Sequence, residues 1–218
     1  MADIFREIDE DLRRDRLGKL WSKYGKYLAA LVVLIIVATA AVVAWRGWQQ
    51  RQAAAAGVRY AAAATLLRDG AANPAIQAFE AMGADGGGYG LLARLEAAEL
   101  KAKHGDKAGG VAGLQAIAAD TRLDQTYRDL ALILAELYSL DTEQSGTVIA
   151  RIAPLIAPDN PWRFMALEIT ALAQLKDGNQ AEALKTYTQL ADDLAAPQSL
   201  RARAAEMVAS LNKGKPAS

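Results

Sequence analysis

The chain opens with apolar residues at mixed three- and four-residue spacing: Ile4, Phe5, Ile8, Leu12, Leu17, Leu20, Trp21 and Tyr24. That spacing marks one stripe of a helix, with Glu7, Asp11 and Arg14 on the opposite face. The pattern predicts a short amphipathic helix over residues 1–26. Two readings of it stand open, a helix lying at a membrane surface and a cytosolic docking segment for a partner. The pattern then changes abruptly. Residues 27–45, YLAALVVLIIVATAAVVAW, are 19 consecutive residues without a charge, and Thr39 is their one clearly polar member. As a helix this run spans roughly 28 Å, close to the thickness of bilayer hydrocarbon. Tyr24, Tyr27, Trp45 and Trp48 stand at its two ends, where a membrane protein carries its aromatic belts. Soluble core helices are rarely apolar on every face at this length, so the run predicts a transmembrane helix. Ala38-Thr39-Ala40 has the A-x-A form of a signal-peptide cleavage site. The acid-rich leader of 26 residues and the continuation of the run to Trp45 favour an uncleaved anchor instead.

Beyond the anchor the period is helical throughout. No helix breaker occurs between Trp45 and Gly57, and strong helix formers dominate residues 53–64. The membrane helix either continues outward or restarts after a break at Gly57. Stop signals follow at Arg68-Asp69-Gly70 and Asn73-Pro74. Four segments can then be superposed: 75–82, 110–117, 148–155 and 183–190, with starts 35, 38 and 35 residues apart. Each has a small or branched residue first and apolar residues second, fifth and eighth, the stripe of a half-buried helix. Further apolar helices are predicted over 91–101, 127–140 and 162–175. Each is separated from the helix after it by a turn at 103–106, 141–146 or 176–179. A two-helix unit of about 35 residues is the length of a tetratricopeptide repeat. The fourth unit fits best: Trp162, Leu167 and Ala171 on its first helix, Ala183, Tyr187 and Leu190 on its second, and Pro197 at its end. The second unit departs from the pattern with Gly109, Gly110 and Gly113, and the third with Pro154, which predicts kinked or short helices there.

Composition narrows the chemistry. Lys+Arg 25 balances Asp+Glu 25, which argues against a nucleic-acid binder. The sequence has no Cys and one His, so disulfides, thiolate metal sites and a His triad of ligands are excluded. His104 lies in the turn Lys-His-Gly-Asp beside Asp106, and an exposed turn shields no general base from water, so an ordinary surface histidine is expected. The run Gly86-Gly87-Gly88-Tyr89-Gly90 lacks the Gly-Lys-Ser/Thr ending of a phosphate loop and reads as a flexible connection between repeats. Asp192-Asp193 and Asp9-Glu10-Asp11 lack the spacing of a calcium loop and read as solvated helix ends. Ala40 and Ala44 form a small-xxx-small pair, a weak pointer to helix contact in the membrane. Lys213-Gly214-Lys215-Pro216 reads as a frayed tail. No catalytic, cofactor-binding or metal-binding residues are assigned, no cofactor is expected, and the residues that contact protein are left unassigned.

Flanking charge sets orientation. Arg13, Arg14, Arg16, Lys19, Lys23 and Lys26 precede the span, and Arg46, Arg51 and Arg59 follow it, which predicts a cytoplasmic N-terminus and a translocated C-terminal portion. The expected organisation is therefore a cytoplasmic segment at 1–26, a transmembrane helix at 27–45, a periplasmic tetratricopeptide repeat-like domain at 46–211 and a flexible tail at 212–218. The fold class is all-α, an α-solenoid of helix pairs behind a single N-terminal transmembrane helix.

This architecture, with the opening MADIFREIDEDLRRDRLGKLWSKYGKYL, resembles the bacterial ancillary SecYEG translocon subunit family, and its alphaproteobacterial branch in particular. The resemblance covers nearly the whole chain and is architectural, with no short motif anchoring it. It implies a single-pass inner-membrane protein partnered by the SecYEG translocon and by a membrane-anchored periplasmic chaperone, and it carries over no catalytic residues. The expected function is a non-enzymatic, membrane-anchored protein-binding scaffold. The alternative is a cell-envelope organiser that coordinates cell-wall synthesis or division through the same repeats.

Overall fold

Gly, Pro and short polar turns cut the chain into helices at nearly regular intervals. The structure, a computed structural model, describes the backbone of residues 2–213 and the side chains of residues 23, 24 and 26–213. Among the described residues it is all helical: α1 (Ala2–Arg68), α2 (Ala72–Gly83), α3 (Gly87–Lys103), α4 (Lys107–Ala118), α5 (Gln125–Ser139), α6 (Ser145–Ile152), α7 (Arg163–Lys176), α8 (Gln180–Asp192) and α9 (Gln198–Lys213). A 3₁₀ turn, Ala153–Ile156, follows α6. Two compact units divide the chain, Met1–Ala55 and Ala56–Ser218.

The first unit is helix alone. Side chains from Lys26 to Arg46 are exposed, including Leu34, Ile36 and Val43 at about 60% or more. Lys26–Arg68 contains a stretch long and apolar enough to cross a bilayer, with none of that stretch buried. An unburied apolar surface of this length distinguishes it from the core helix of a soluble protein, and it is a candidate membrane span. Residues 1–22, which include Asp9, Glu10 and Asp11, lie outside the described side chains, as do residues 214–218.

The second unit packs the end of α1 with α2, then α3 with α4, α5 with α6, α7 with α8, and closes with α9. The stripes predicted from sequence face its core. Their first, fifth and eighth positions are buried in all four segments: Ala75, Phe79 and Met82; Gly110, Leu114 and Ile117; Val148, Ile152 and Leu155; Ala183, Tyr187 and Leu190. The second position is buried at Ile76 and half-buried at Val111, Ile149 and Leu184, because it lies at the edge of the contact. Four linked hydrophobic clusters run along the stack, the first joining Tyr60, Ala63 and Leu67 of α1 to Ile76, Phe79 and Ala97.

Several sequence expectations are corrected. At Gly57, where two readings stood open, α1 continues unbroken, and the missing Cβ gives room to Tyr89; a Cβ there would lie 3.0 Å from the phenolic oxygen. Pro74 does not end a helix but sits in the first turn of α2, where its absent N–H has no intrahelical acceptor to satisfy. α4 is an uninterrupted if short helix of 12 residues. Its glycines serve close approach: a Cβ on Gly110 would fall 2.5 Å from the Ala98 carbonyl oxygen and 2.6 Å from the Ala102 nitrogen. Pro154 behaves as expected, ending α6 after eight residues and forcing the 3₁₀ turn that still buries Leu155.

Candidate protein-interaction face

The turns between paired helices repeat one chemistry. Lys103-His104-Gly105-Asp106 and Lys176-Asp177-Gly178-Asn179 both place Gly at positive φ, 103° and 75°, one cap residue beyond the end of the helix. Only Gly adopts that conformation without steric cost, so these turns end one helix and start the next in a fixed direction. Direct packing joins α3 to α5 and α5 to α7, whereas successive second helices do not pack comparably. The first helices of the pairs therefore form the more closely spaced layer.

Side chains reinforce this layer at nearly one repeat length. Tyr60 of α1 donates its hydroxyl to Glu96 Oε1 on α3 at 3.3 Å. Tyr138 of α5 donates to Glu99 Oε2 on α3 at 3.4 Å. The Trp162 indole N–H, preceding α7, donates to the Thr126 carbonyl on α5 at 2.9 Å, and Asn160 Nδ2 donates to Asp129 Oδ2 at 2.9 Å. Arg203 of α9 makes a paired contact with Glu168 of α7, both at 3.0 Å. A Tyr or Trp reaching one repeat along supplies both apolar area and a polar tip, and so crosslinks neighbouring helices without burying an unpaired group.

The electrostatics follow from partial burial. Desolvation, then the nearby Glu96 charge, pushes the Tyr60 hydroxyl up to about 12, so it stays a donor at physiological pH. Burial and then Glu99 raise Tyr138 likewise. Under the layer lies Glu136 of α5, fully buried, accepting from Arg151 of α6 at 2.9 and 3.1 Å. Arg151 also bonds Glu143, and Lys176 donates to the Glu143 carbonyl. Burial raises Glu136 while Arg151 opposes the shift. This network fastens α5 to α6 and to the end of α7 where the Pro154 break has shortened the helix.

The water-facing part of the layer is apolar and aromatic with acids between. On α3, Tyr89, Leu92, Glu96, Glu99 and Lys103 fall on one stripe, and Tyr89 and Leu92 are 38% and 44% exposed. On α5, Tyr127 and Leu137 are 45% and 38% exposed. Exposed large apolar side chains on one face of a repeat stack mark a surface available to a partner.

The residues weighed from sequence fall elsewhere or do other work. His104 is exposed in its turn after α3, as expected, and among the described residues no acid or nucleophile side chain is bonded to it. Gly86 caps α3 and Gly87–Gly90 form its first turn, so the run is helix and not a flexible connection; Gly90 is buried, and a Cβ there would lie 3.4 Å from the Met82 carbonyl oxygen. Asp193 is not simply solvated, since it pairs with Arg163 at 3.3 Å and accepts from the Ala195 N–H at 2.9 Å. Ala40 and Ala44 are exposed on the apolar helix. Lys213 ends α9, and the rest of that tail is outside the described residues. Among the described residues, no cluster of three acidic or imidazole groups is arranged to hold a metal ion. The Tyr60–Glu96 and Tyr138–Glu99 pairs escaped the sequence reading. Their separations of 36 and 39 residues match the repeat period, a signal present in the spacing but hidden by the many other residues that share it.

A family model described as the tetratricopeptide repeat-like domain matches residues 19–205. No curated protein and no solved structure matches the chain.

Proposed function

Since the chain belongs to the tetratricopeptide repeat-like domain family, we propose that it is a non-enzymatic scaffold that holds a protein partner at a membrane surface. Stacked helix pairs of this family present an extended face to other proteins. The observation that carries the proposal is the pairing of a helix whose apolar span is unburied with a repeat stack whose first helices expose Tyr89, Leu92, Tyr127 and Leu137. Tethering raises the effective concentration of that face toward membrane-bound partners. With residues 27–45 as the anchor and the charge bias placing 1–26 in the cytoplasm, the repeats stand in the periplasm and 212–218 forms the tail. In that setting the resemblance to the ancillary SecYEG subunit family makes the translocon and a membrane-anchored periplasmic chaperone the partners of choice. Affinity capture of the full chain from detergent extract tests this, with stoichiometric Sec or chaperone components expected. Recovery of cell-wall or division proteins in their place transfers the role to envelope organisation. A reporter fused after Ser218 that is active only inside the cell refutes the periplasmic placement.

A further inference from the structure

Buried and half-buried carboxylates in this stack are matched by cations with two exceptions, Asp129 and Glu96, and Asp129 is satisfied instead by two amide donors, Gln125 at 2.6 Å and Asn160 at 2.9 Å. Glu136 and Glu143 share Arg151, Asp120 pairs with Arg94 and Arg122, Glu168 with Arg203, Asp193 with Arg163, and Glu99 with Lys103. Glu96, half-buried at mid-helix on α3, has no Lys or Arg within ion-pairing distance among the described residues, and its bond comes from a neutral hydroxyl, that of Tyr60. The nearest cation in sequence to that Tyr, Arg59, is taken by Asp85 at 2.8 Å. A carboxylate partly withdrawn from water without a counter-charge is poorly compensated.

Its neighbours are those a cation would want. The Tyr60 ring lies 5.8 Å from the Tyr89 ring, centroid to centroid. Tyr89, Leu92 and Glu96 follow one another along the α3 stripe, with Tyr89 and Leu92 open to solvent. Aromatic faces attract ammonium and guanidinium groups, and an exposed Leu receives the aliphatic stem that carries them. We propose that Tyr60, Tyr89, Leu92 and Glu96 form an anchor subsite for one Lys or Arg side chain of the protein partner, its stem on Leu92 and its head on Glu96 beside the two rings. The occupant is a basic residue within an otherwise apolar segment, because the surrounding face is apolar. This deepens the scaffold reading and rests on it.

The test uses the full chain in its native membrane with a photo-crosslinking residue at Leu92 or, separately, at Leu137 of α5. The Leu92 adduct is expected to contain a Lys or Arg within about two residues of the crosslinked position. Glu96→Gln is expected to reduce its yield about tenfold, the scale of one lost bond to a charged group, while leaving the unfolding midpoint unchanged. Exchanging charges, with Glu96→Lys against Lys→Glu or Arg→Glu at the mapped partner residue, is expected to restore the yield. An adduct segment without a basic residue, a yield indifferent to Glu96→Gln, or no Leu92 adduct while Leu137 still crosslinks would each overturn the subsite and leave the scaffold reading standing. Absence of adducts at both positions overturns both.

Discussion

At the scale of single residues, the decisive positions are those where a few atoms choose between packing and clash. Gly110 and Gly88 are both helical glycines, yet opposite outcomes are expected on replacement by Ala. At Gly110 the new Cβ meets α3 backbone at 2.5 and 2.6 Å, which cannot give way locally, so Gly110→Ala should cost about 1–3 kcal/mol despite its better helix propensity. At Gly88 nothing lies within 4 Å, and Gly88→Ala should gain about 0.5–1 kcal/mol. Urea unfolding of the two variants checks the sign of each. Glu136 offers a second contrast. Arg151→Met strips a buried carboxylate of its cation and should cost about 2 kcal/mol at pH 7, less than a fully buried pair because Arg151 is partly in water. Burial already raises Glu136, and losing Arg151 raises it further. A carboxyl group whose folded value is raised stabilises the protein at low pH and loses that contribution as pH climbs through the folded value. The deficit of Arg151→Met relative to the parent should therefore be largest at pH 7 and shrink toward the ordinary carboxyl value of 4.5, measured by urea unfolding across that range. Neither the role of Gly110 nor that of Arg151 was legible in sequence. A glycine weakening a helix and a glycine admitting a neighbouring backbone look alike until the neighbour is placed, and Arg151 stands 15 residues from Glu136 on another helix.

At the scale of elements, local pattern succeeded wherever one helix sufficed to explain it. The apolar run at 27–45 needs no tertiary contact to be recognised, because its solvent preference is written on every face. Placing one charge at its centre, as in Ile36→Arg, should cost about 2.5–3.5 kcal/mol of insertion and release part of the chain from membranes on carbonate extraction, which immunoblotting of the pellet would read. Element boundaries were less legible. The glycine run at 86–90 carries every mark of a loop, yet it opens α3, with Gly86 as the cap and Gly90 buried in the first turn. Pro74 likewise signals a stop but opens α2. At the glycine run the weak per-residue propensity was overridden, whereas Pro74 fits the first turn of a helix, so the sequence signal marked a boundary without saying which end it was.

At the scale of the whole molecule, stability comes from neighbouring pairs sharing core residues. Leu114 is fully buried in the cluster that joins α3, α4 and α5, so Leu114→Ala should cost about 2–5 kcal/mol. A stack this short, with each cluster bridging adjacent pairs, should lose that stability in one transition. The fluorescence of Trp162, two helices further on, should then report the same midpoint as far-UV circular dichroism in a chain where Trp21, Trp45 and Trp48 are Phe. Two separate midpoints would show that the pairs unfold independently. The all-helical class, the apolar span and the 35-residue rhythm were all legible in the residues alone. All three are periodic or compositional properties that a helix expresses through its own geometry. Which helix faces are left open to water emerged only once the helices were packed. That choice depends on Tyr60 meeting Glu96, Tyr138 meeting Glu99 and Gly110 yielding to α3 across distances the chain closes only when the helices stack, and no local pattern encodes which of many equally spaced residues will meet.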